Sequence, residues 1–261
     1  MKACDTAKRQ GGRFLLRIED IDRTRCRPEF VQAIYEDLAW LGFQWEPLML
    51  VQSERFDAYR AALRQLDSRG LLYPCFCTRA EIATEIARAA EAPHGPEGAL
   101  YPGTCRSLNE NERKERIDSG APYALRLDVP TAAERTGALQ FEECGSGPNG
   151  QHGTIRINPL LFGDVVLARK DTPASYHLAV VVDDAFQGVT LVTRGNDLFA
   201  AAHVQRLLQT LLNLPAPAYA HHRLILDEHG RKFSKRDRAV TLRNFRANGV
   251  TPENVRVQVG L

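Results

Sequence analysis

Net charge, long apolar runs and repetition are all scarce in this chain of 261 residues. Its 34 Lys and Arg nearly cancel 32 Asp and Glu, leaving +2, so any hold on nucleic acid must come from locally placed charge and not from an overall basic field. No apolar stretch approaches the roughly 20 residues of a membrane span, and Met1 to Thr6 lacks the apolar core of a signal peptide. The expectation is a cytoplasmic protein. The absence of an internal repeat or low-complexity tract argues against a repeat array. What is present is ordinary for a globular fold: 44% hydrophobic residues, enough for a sizeable core and too many for a disordered chain.

The six cysteines stand at 4, 26, 75, 77, 105 and 144, and a cytoplasmic setting argues against a disulfide framework. Three gather around one segment. Cys75-Phe76-Cys77 and Tyr101-Pro102-Gly103-Thr104-Cys105 bracket a stretch that ends in the Pro- and Gly-rich loop Ala92 to Gly98. Thiolates are good zinc ligands and a structural site takes four donors, so the fourth must come from Tyr101, His94 or water. Buried free thiols are the alternative. Cys4, Cys26 and Cys144 are expected to be inert.

Local patterning points to an α/β chain. Arg13 to Ile18 is a short apolar run that predicts a strand, with Glu19-Asp20-Ile21-Asp22-Arg23-Thr24-Arg25 at its C-terminal end, where open α/β sheets gather their ligand-binding groups. Phe30, Val31, Ile34, Leu38 and Leu41 recur at helical spacing, as do Phe56, Tyr59, Leu63 and Leu66 before Gly70. Between 73 and 155 the texture changes to that of an insertion. It has a cysteine-bearing loop, a helix opened by the capping box Ser107-x-x-Glu110, and an alternating strand over Tyr123, Leu125, Leu127 and Val129. The core pattern then returns. Leu178 to Val182 and Val189 to Val192 read as strands buried on both faces, and Ala200, His203, Val204, Leu207, Leu208 and Leu211 trace a helix. Domain bounds of 1–72, 73–155 and 156–261 follow.

Several residues carry chemistry. After the apolar run Leu224-Ile225-Leu226, read as a strand, Lys232-Phe233-Ser234-Lys235-Arg236 offers two ammonium groups and a hydroxyl suited to a triphosphate. A solvated charge run is the plain alternative. Arg194 could hold a carboxylate in a bidentate pair and Asp197 could cap the following helix, or the two could form a capped turn with an exposed arginine. The Tyr176 hydroxyl could meet a ligand or close the core. Glu19 could bind an ammonium or join a surface ion-pair cluster with Arg17, Arg23 and Arg25.

Taken together, these segments are more specific than any one of them. Arg13 to Arg25, Asp164-x-Val166, Arg169-Lys170-Asp171-x-Pro173, Tyr176-His177-Leu178-Ala179, Val181-Val182-Asp183-Asp184, Arg194-Gly195-x-Asp197-Leu198 and Lys232-Phe233-Ser234-Lys235 come in the order and spacing of class I glutamyl-tRNA synthetases. The chain resembles that family over nearly its whole length, and most closely its stand-alone glutamyl-Q tRNA(Asp) branch. The short stretch after Lys235, which leaves no room for an anticodon-binding domain, and the set Cys75, Cys77, Tyr101 and Cys105 both favour that branch. The resemblance implies a Rossmann-like catalytic domain with an inserted zinc-bearing, acceptor-stem-type subdomain, acting as a monomeric ligase. Its reaction would join L-glutamate and ATP into glutamyl-adenylate without tRNA, then pass the glutamyl group to the queuosine base of tRNA(Asp). By the same resemblance Glu19 binds the glutamate ammonium and Tyr176 and Arg194 its carboxyl groups. Lys235, with Lys232 and Ser234, steadies the ATP phosphates. Mg2+ accompanies ATP, and one structural Zn2+ sits on Cys75, Cys77, Tyr101 and Cys105.

Family members carry a His-x-Gly-His-type ATP motif and a Ser- and Pro-bearing segment upstream of the Arg-Ile-Glu-Asp strand. Only ten residues precede Gly11 here, and neither feature is among them. The expectation is a sheet lacking its first strand, an exposed neighbouring flank and weakened ATP binding. Three readings stay open: a family member whose start lies further upstream, a truncated paralogue that retains tRNA or metal binding, and a fragment of a glutamyl-tRNA synthetase or a metal-bound interaction module.

Overall fold

The computed structural model describes residues 1–46, 49–88, 94–96, 98–226 and 241–261. The chain opens with α1 (Lys2–Arg9), β1 (Arg17–Ile18), α2 (Pro28–Trp40), β2 (Leu50–Val51) and α3 (Phe56–Asp67). Next come β3 (Leu72–Cys75), α4 (Arg79–Arg88), β4 (His94–Gly95), β5 (Gly98–Ala99), α5 (Glu110–Asp118), β6 (Ala124–Leu127), α6 (Val129–Thr136), β7 (Gln140–Glu143) and β8 (Gly153–Arg156). The C-terminal part holds β9 (Val166–Arg169), α7 (Tyr176–Gln187), β10 (Leu191–Gly195), α8 (Ala201–Leu211), β11 (Ala218–His222), α9 (Leu242–Ala247) and α10 (Pro252–Val259). This is the mixed α/β architecture that the alternation of elements predicts.

Two parallel ribbons frame the site region. β1 pairs with β2, and β10 pairs with β11 over five positions, Leu191 opposite Ala218 to Gly195 opposite His222. β11 also meets β7 through Tyr219 and Glu143, and β7 continues antiparallel into β8. Among the described residues β1 and β10 share no ladder. A cleft of ≈ 560 Å³ separates them, walled by Phe14 to Arg17 on one side and Val189 to Thr193 on the other. β3, β6 and β9 form a separate antiparallel sheet. The main core gathers Leu63 and Leu66 of α3, Leu127 of β6, Leu167 of β9, Leu178 of α7, Leu207 and Leu211 of α8 and Tyr219 of β11. A second cluster joins the two ends of the chain: Cys4 and Val255 pack with Leu41 and Phe43, and Arg256 pairs with Asp5 at 2.5 Å.

Several local expectations are corrected. Residues 178–182 are not a strand: they lie inside α7. Ser175 caps that helix through Leu178 N, and Gly188, at φ +64, stops it in a left-handed conformation that only glycine adopts without strain. The run is apolar on consecutive positions because Leu178 to Val181 are all buried, which removes the amphipathic period that separates helix from strand over that stretch. Residues 224 and 225 are not in a strand either, and Leu226 makes only an isolated bridge; β11 ends at His222, and Ile225 and Leu226 are about half exposed, at 47% and 49%. The capping box sits two residues on from the expected one, with Asn109 and Glu112 exchanging side-chain bonds to each other's backbone. Ser107 instead closes a 3-10 turn by donating to Thr104 O. Val129 opens α6, capped by Asp128, and does not continue the strand. Only Arg17 and Ile18 of the expected strand 13–18 form a ladder.

Candidate functional site

Glu19 leaves the C-terminal end of β1 beside Arg17, whose Nε and Nη2 donate to Glu19 Oε1 at 3.3 and 3.2 Å. Arg17 is largely buried, and its Nη1 donates to Asp184 Oδ1 at 2.7 Å and Gln187 Oε1 at 3.1 Å on α7. Burial pushes the Asp184 carboxyl up, against the pull of the Arg17 charge. The Glu19 side chain is 42% exposed, so it can meet a cation from solvent.

Tyr176 is the first residue of α7. Burial raises its phenol, with Arg194 drawing it back through its charge and a side-chain interaction and Glu19 and Asp184 adding to the rise, so the hydroxyl keeps its proton. These interactions place Glu19, Asp184 and Arg194 around one phenol. The sequence-expected trio Glu19, Tyr176 and Arg194 stands at the end of β1, the start of α7 and in β10, with the charges of Glu19 and Arg194 both felt at the Tyr176 phenol.

Arg194 sits in β10 directly opposite His221 of β11. Its Nε donates to His221 Nε2 at 3.0 Å and its Nη1 to Gln205 Oε1 of α8 at 2.8 Å. The guanidinium lies 5.0 Å from the Tyr219 ring centroid. Its Nη2 is buried and has no hydrogen-bond partner. A guanidinium nitrogen hidden from water and left unpaired is costly unless an anion arrives. A carboxylate is one anion that such a nitrogen can receive. Asp197 does not cap α8, which opens at Ala200 with no side-chain bond.

Sequence reasoning missed the groups behind Arg194. Glu143 of β7 is fully buried and its Oε2 meets His221 Nδ1 at 2.5 Å. Burial is the chief cause lowering the His221 pKa, with the Arg194 charge adding to it and Glu143 opposing. The alternation of β7 carries one usable signal: Phe141 and Glu143 point inward while Gln140 and Glu142 face out. A glutamate at an inward position needs a buried partner. Lys232, Ser234 and Lys235 lie outside the described residues.

The cysteine cluster is compact. The Sγ atoms of Cys75, Cys77 and Cys105 all lie within 4.8 Å of one another. Cys77 Sγ is 3.4 Å from Cys105 Sγ and 3.6 Å from the Tyr101 hydroxyl. Cys105 N donates to that hydroxyl at 2.8 Å, and Phe76 N donates to Cys105 Sγ at 3.3 Å. Burial pushes the Cys77 thiol up to about 12. Burial acts the same way on Cys105, but hydrogen bonds from Tyr101 and Phe76 outweigh it and leave that thiol lowered. Three sulfurs and a phenol oxygen converging on one point fit a tetrahedral thiolate-preferring metal such as zinc. The Arg126 guanidinium, 3.9 Å from the Tyr101 ring centroid, holds the phenol in place. Cys4 is buried in the second core and Cys144 is exposed, both free.

No helix among the described residues is long and apolar enough to cross a membrane. The family of class I tRNA synthetases (E and Q), catalytic domain, matches residues 4–261. A glutamyl-Q tRNA(Asp) synthetase of Rhodobacter capsulatus is 47% identical over 263 aligned residues, covering 99% of this chain and 92% of the relative. That of Nocardia farcinica is 47% identical over 95% of this chain and 73% of its own length. A crystal structure of glutamate-tRNA synthetase from Elizabethkingia anophelis superposes with a TM-score of 0.72 at 28% identity, over 90% of this chain and 48% of the larger one. The fold is thus the Rossmann-like class I catalytic domain, and the chain belongs to the class I tRNA synthetase family of the E and Q type, on its glutamyl-Q tRNA(Asp) synthetase branch.

Proposed function

We propose that this protein activates L-glutamate with ATP and passes the glutamyl group to the queuosine base of tRNA(Asp), a reading supported by its similarity to proteins named glutamyl-Q tRNA(Asp) synthetase. In the first step a glutamate carboxylate oxygen attacks the α-phosphorus of ATP. The bond to the β-phosphate oxygen breaks, and pyrophosphate leaves with its electron pair; in the second step a nucleophilic group of the queuosine base attacks the glutamyl carbonyl, and AMP leaves with the electrons of the broken acyl–phosphate bond. The first step needs alignment and charge neutralisation more than a protein nucleophile. Glu19 takes the substrate ammonium, and the Tyr176 hydroxyl and Arg194 guanidinium take its carboxyl groups. Lys232, Ser234 and Lys235 steady the ATP phosphates, with Mg2+ as the counter-ion of ATP.

Cys75, Cys77, Tyr101 and Cys105 would hold one zinc, which stabilises the local fold and takes no part in activation, since no donor to it comes from the glutamate-binding trio. Residues 73–155 form the proposed insertion against the tRNA, between core segments 1–72 and 156–261, with β7 tying it to β11. The protein is proposed to act as a cytoplasmic monomer.

The observation that carries this reading is the buried, unpartnered Nη2 of Arg194 beside Tyr176. Glutamate-dependent ATP–pyrophosphate exchange without tRNA tests it on the wild-type chain and on Arg194→Lys. A lysine cannot reproduce the planar fork, so the KM for glutamate should rise by about 30-fold, roughly 2 kcal/mol. An unchanged KM for glutamate overturns the site. Charging of tRNA(Glu) in place of queuosine-containing tRNA(Asp) overturns the acceptor.

A further inference from the structure

Behind Arg194 lies a buried chain of polar groups that the reaction does not use directly. Glu143, His221 and Gln205 are all essentially inaccessible to solvent, and each has a defined role in hydrogen bonding. An arginine Nε can only donate, so its contact with His221 Nε2 makes that nitrogen an acceptor. The ring proton must then sit on Nδ1, where Glu143 Oε2 receives it at 2.5 Å. Glu143 is itself fixed by two backbone donors to Oε1, His221 N at 2.9 Å and Gly145 N at 2.8 Å. Gly145 has to be glycine for this: a Cβ there would run into the backbone of His221. The His221 ring is stacked on Tyr219 at 12° and met edge-on by Phe199 at 65°, so it has no room to turn over.

We propose that Glu143 and His221 are positioning residues that aim Arg194 at the glutamate carboxylate, an inference that rests on the reading of the site given above. A guanidinium is planar and rigid. Once Nε is held by His221 and Nη1 by Gln205, the direction of Nη2 is set, and Nη2 is the atom left without a partner. The Glu143 carboxylate fixes the tautomer of His221 and places a negative charge one ring away from Arg194. That keeps the cation in its buried position before substrate arrives and costs no direct salt bridge, which would occupy the nitrogen the substrate needs. The same logic orients metal-bound histidines through a carboxylate behind the ring.

The isosteric change Glu143→Gln separates aiming from packing. Its amide nitrogen turns the group facing His221 Nδ1 from acceptor to donor, drives the ring proton to Nε2, and sets two donors against each other at Arg194. The expected result is a rise of about tenfold or more in the KM for glutamate in ATP–pyrophosphate exchange, with the KM for ATP changed less than about twofold. Equal rises in both, or no rise in either, overturn the proposal, because a merely structural glutamate would not single out glutamate. Nitrogen-15 spectra of the wild-type chain near neutral pH give a second readout that needs no variant to fold. The His221 ring should carry its proton on Nδ1, and protonated Nε2 overturns the relay. Arg194→Lys serves as the control. A large loss of glutamate affinity there with none in Glu143→Gln sinks the relay alone. No effect of either change, or no saturable use of glutamate by the wild-type chain, sinks the site reading and the inference together.

Discussion

Asp183 of α7 is fully buried and ties that helix to the segment after β2. Its Oδ2 accepts from Gln52 Nε2 at 2.9 Å and Tyr59 OH at 2.7 Å, and its Oδ1 accepts from Arg55 Nε at 2.7 Å. Gln52 and Tyr59 are as inaccessible as Asp183, so Asp183→Ala strands two donors where water cannot reach them and leaves Arg55 without its counter-charge. Breaking such a buried pair costs about 3 to 5 kcal/mol. Asp183→Asn should cost less, about 1.5 to 3 kcal/mol, because the hydrogen bonds can be rebuilt and chiefly the charge is lost. Gln52 Oε1 is buried and unpartnered, so a flip of that amide offers an acceptor to the new Asn nitrogen, while the Tyr59 hydroxyl can rotate to accept. Arg55 keeps the face of Phe186, 3.9 Å from its ring centroid. Urea unfolding of the three proteins, with the slope checked for constancy, gives both differences. A loss below about 1 kcal/mol for the alanine variant, or equal losses for both variants, would refute the donor-by-donor argument.

Two further outcomes can be checked. Stability should fall as pH drops from 6.5 towards about 4, because burial lowers the pKa of His177 to about 4 and, as the leading cause, also lowers those of His203 and His221. The unfolded chain binds those protons first, so stability is full above the unfolded pKa and is lost through that window; His177 accounts for at most about 3 kcal/mol. A Tm flat between neutrality and pH 4.5 would count against neutral buried imidazoles. Metal analysis of the purified chain should give one zinc per molecule, abolished by Cys77→Ser. Chelation should lower the Tm by several degrees and leave glutamate-dependent exchange measurable at 20 °C; well under one zinc in the wild type would sink the assignment.

The parts of this protein that could be read in advance are those whose chemistry is local. Helices α2 and α3 follow from the spacing of Phe30 to Leu41 and Phe56 to Leu66, because each leaves a polar face to mark the period. Helix α7 was hidden for the opposite reason: with Leu178 to Val181 all buried, neighbours in sequence look alike whichever way the backbone winds. The site divides in the same way. Glu19, Tyr176, Arg194 and the cysteine set stand in motifs of fixed order. Glu143 and Gln205 become meaningful only when β7 is folded against β11 and α8 against β10, across 78 and 11 residues of chain from the groups they hold. Nothing in a linear sequence distinguishes a glutamate that aims an arginine from one that faces water, except its inward phase in a strand of four residues.

The cleft between β1 and β10 is crossed by no ladder among the described residues; the two ribbons are linked by way of α7, through Arg17 to Asp184 and Gln187 and through Gln52, Arg55 and Tyr59 to Asp183. Glu19 belongs to one ribbon and Arg194 to the other. A zwitterion gripped at its ammonium end by Glu19 and at a carboxylate end by Arg194 would act as a strut across the gap, a cross-piece the polypeptide does not itself supply there. Substrate occupancy then becomes part of what holds the fold together, and the temperature at which the chain unfolds becomes a function of glutamate concentration, rising with the logarithm of saturation.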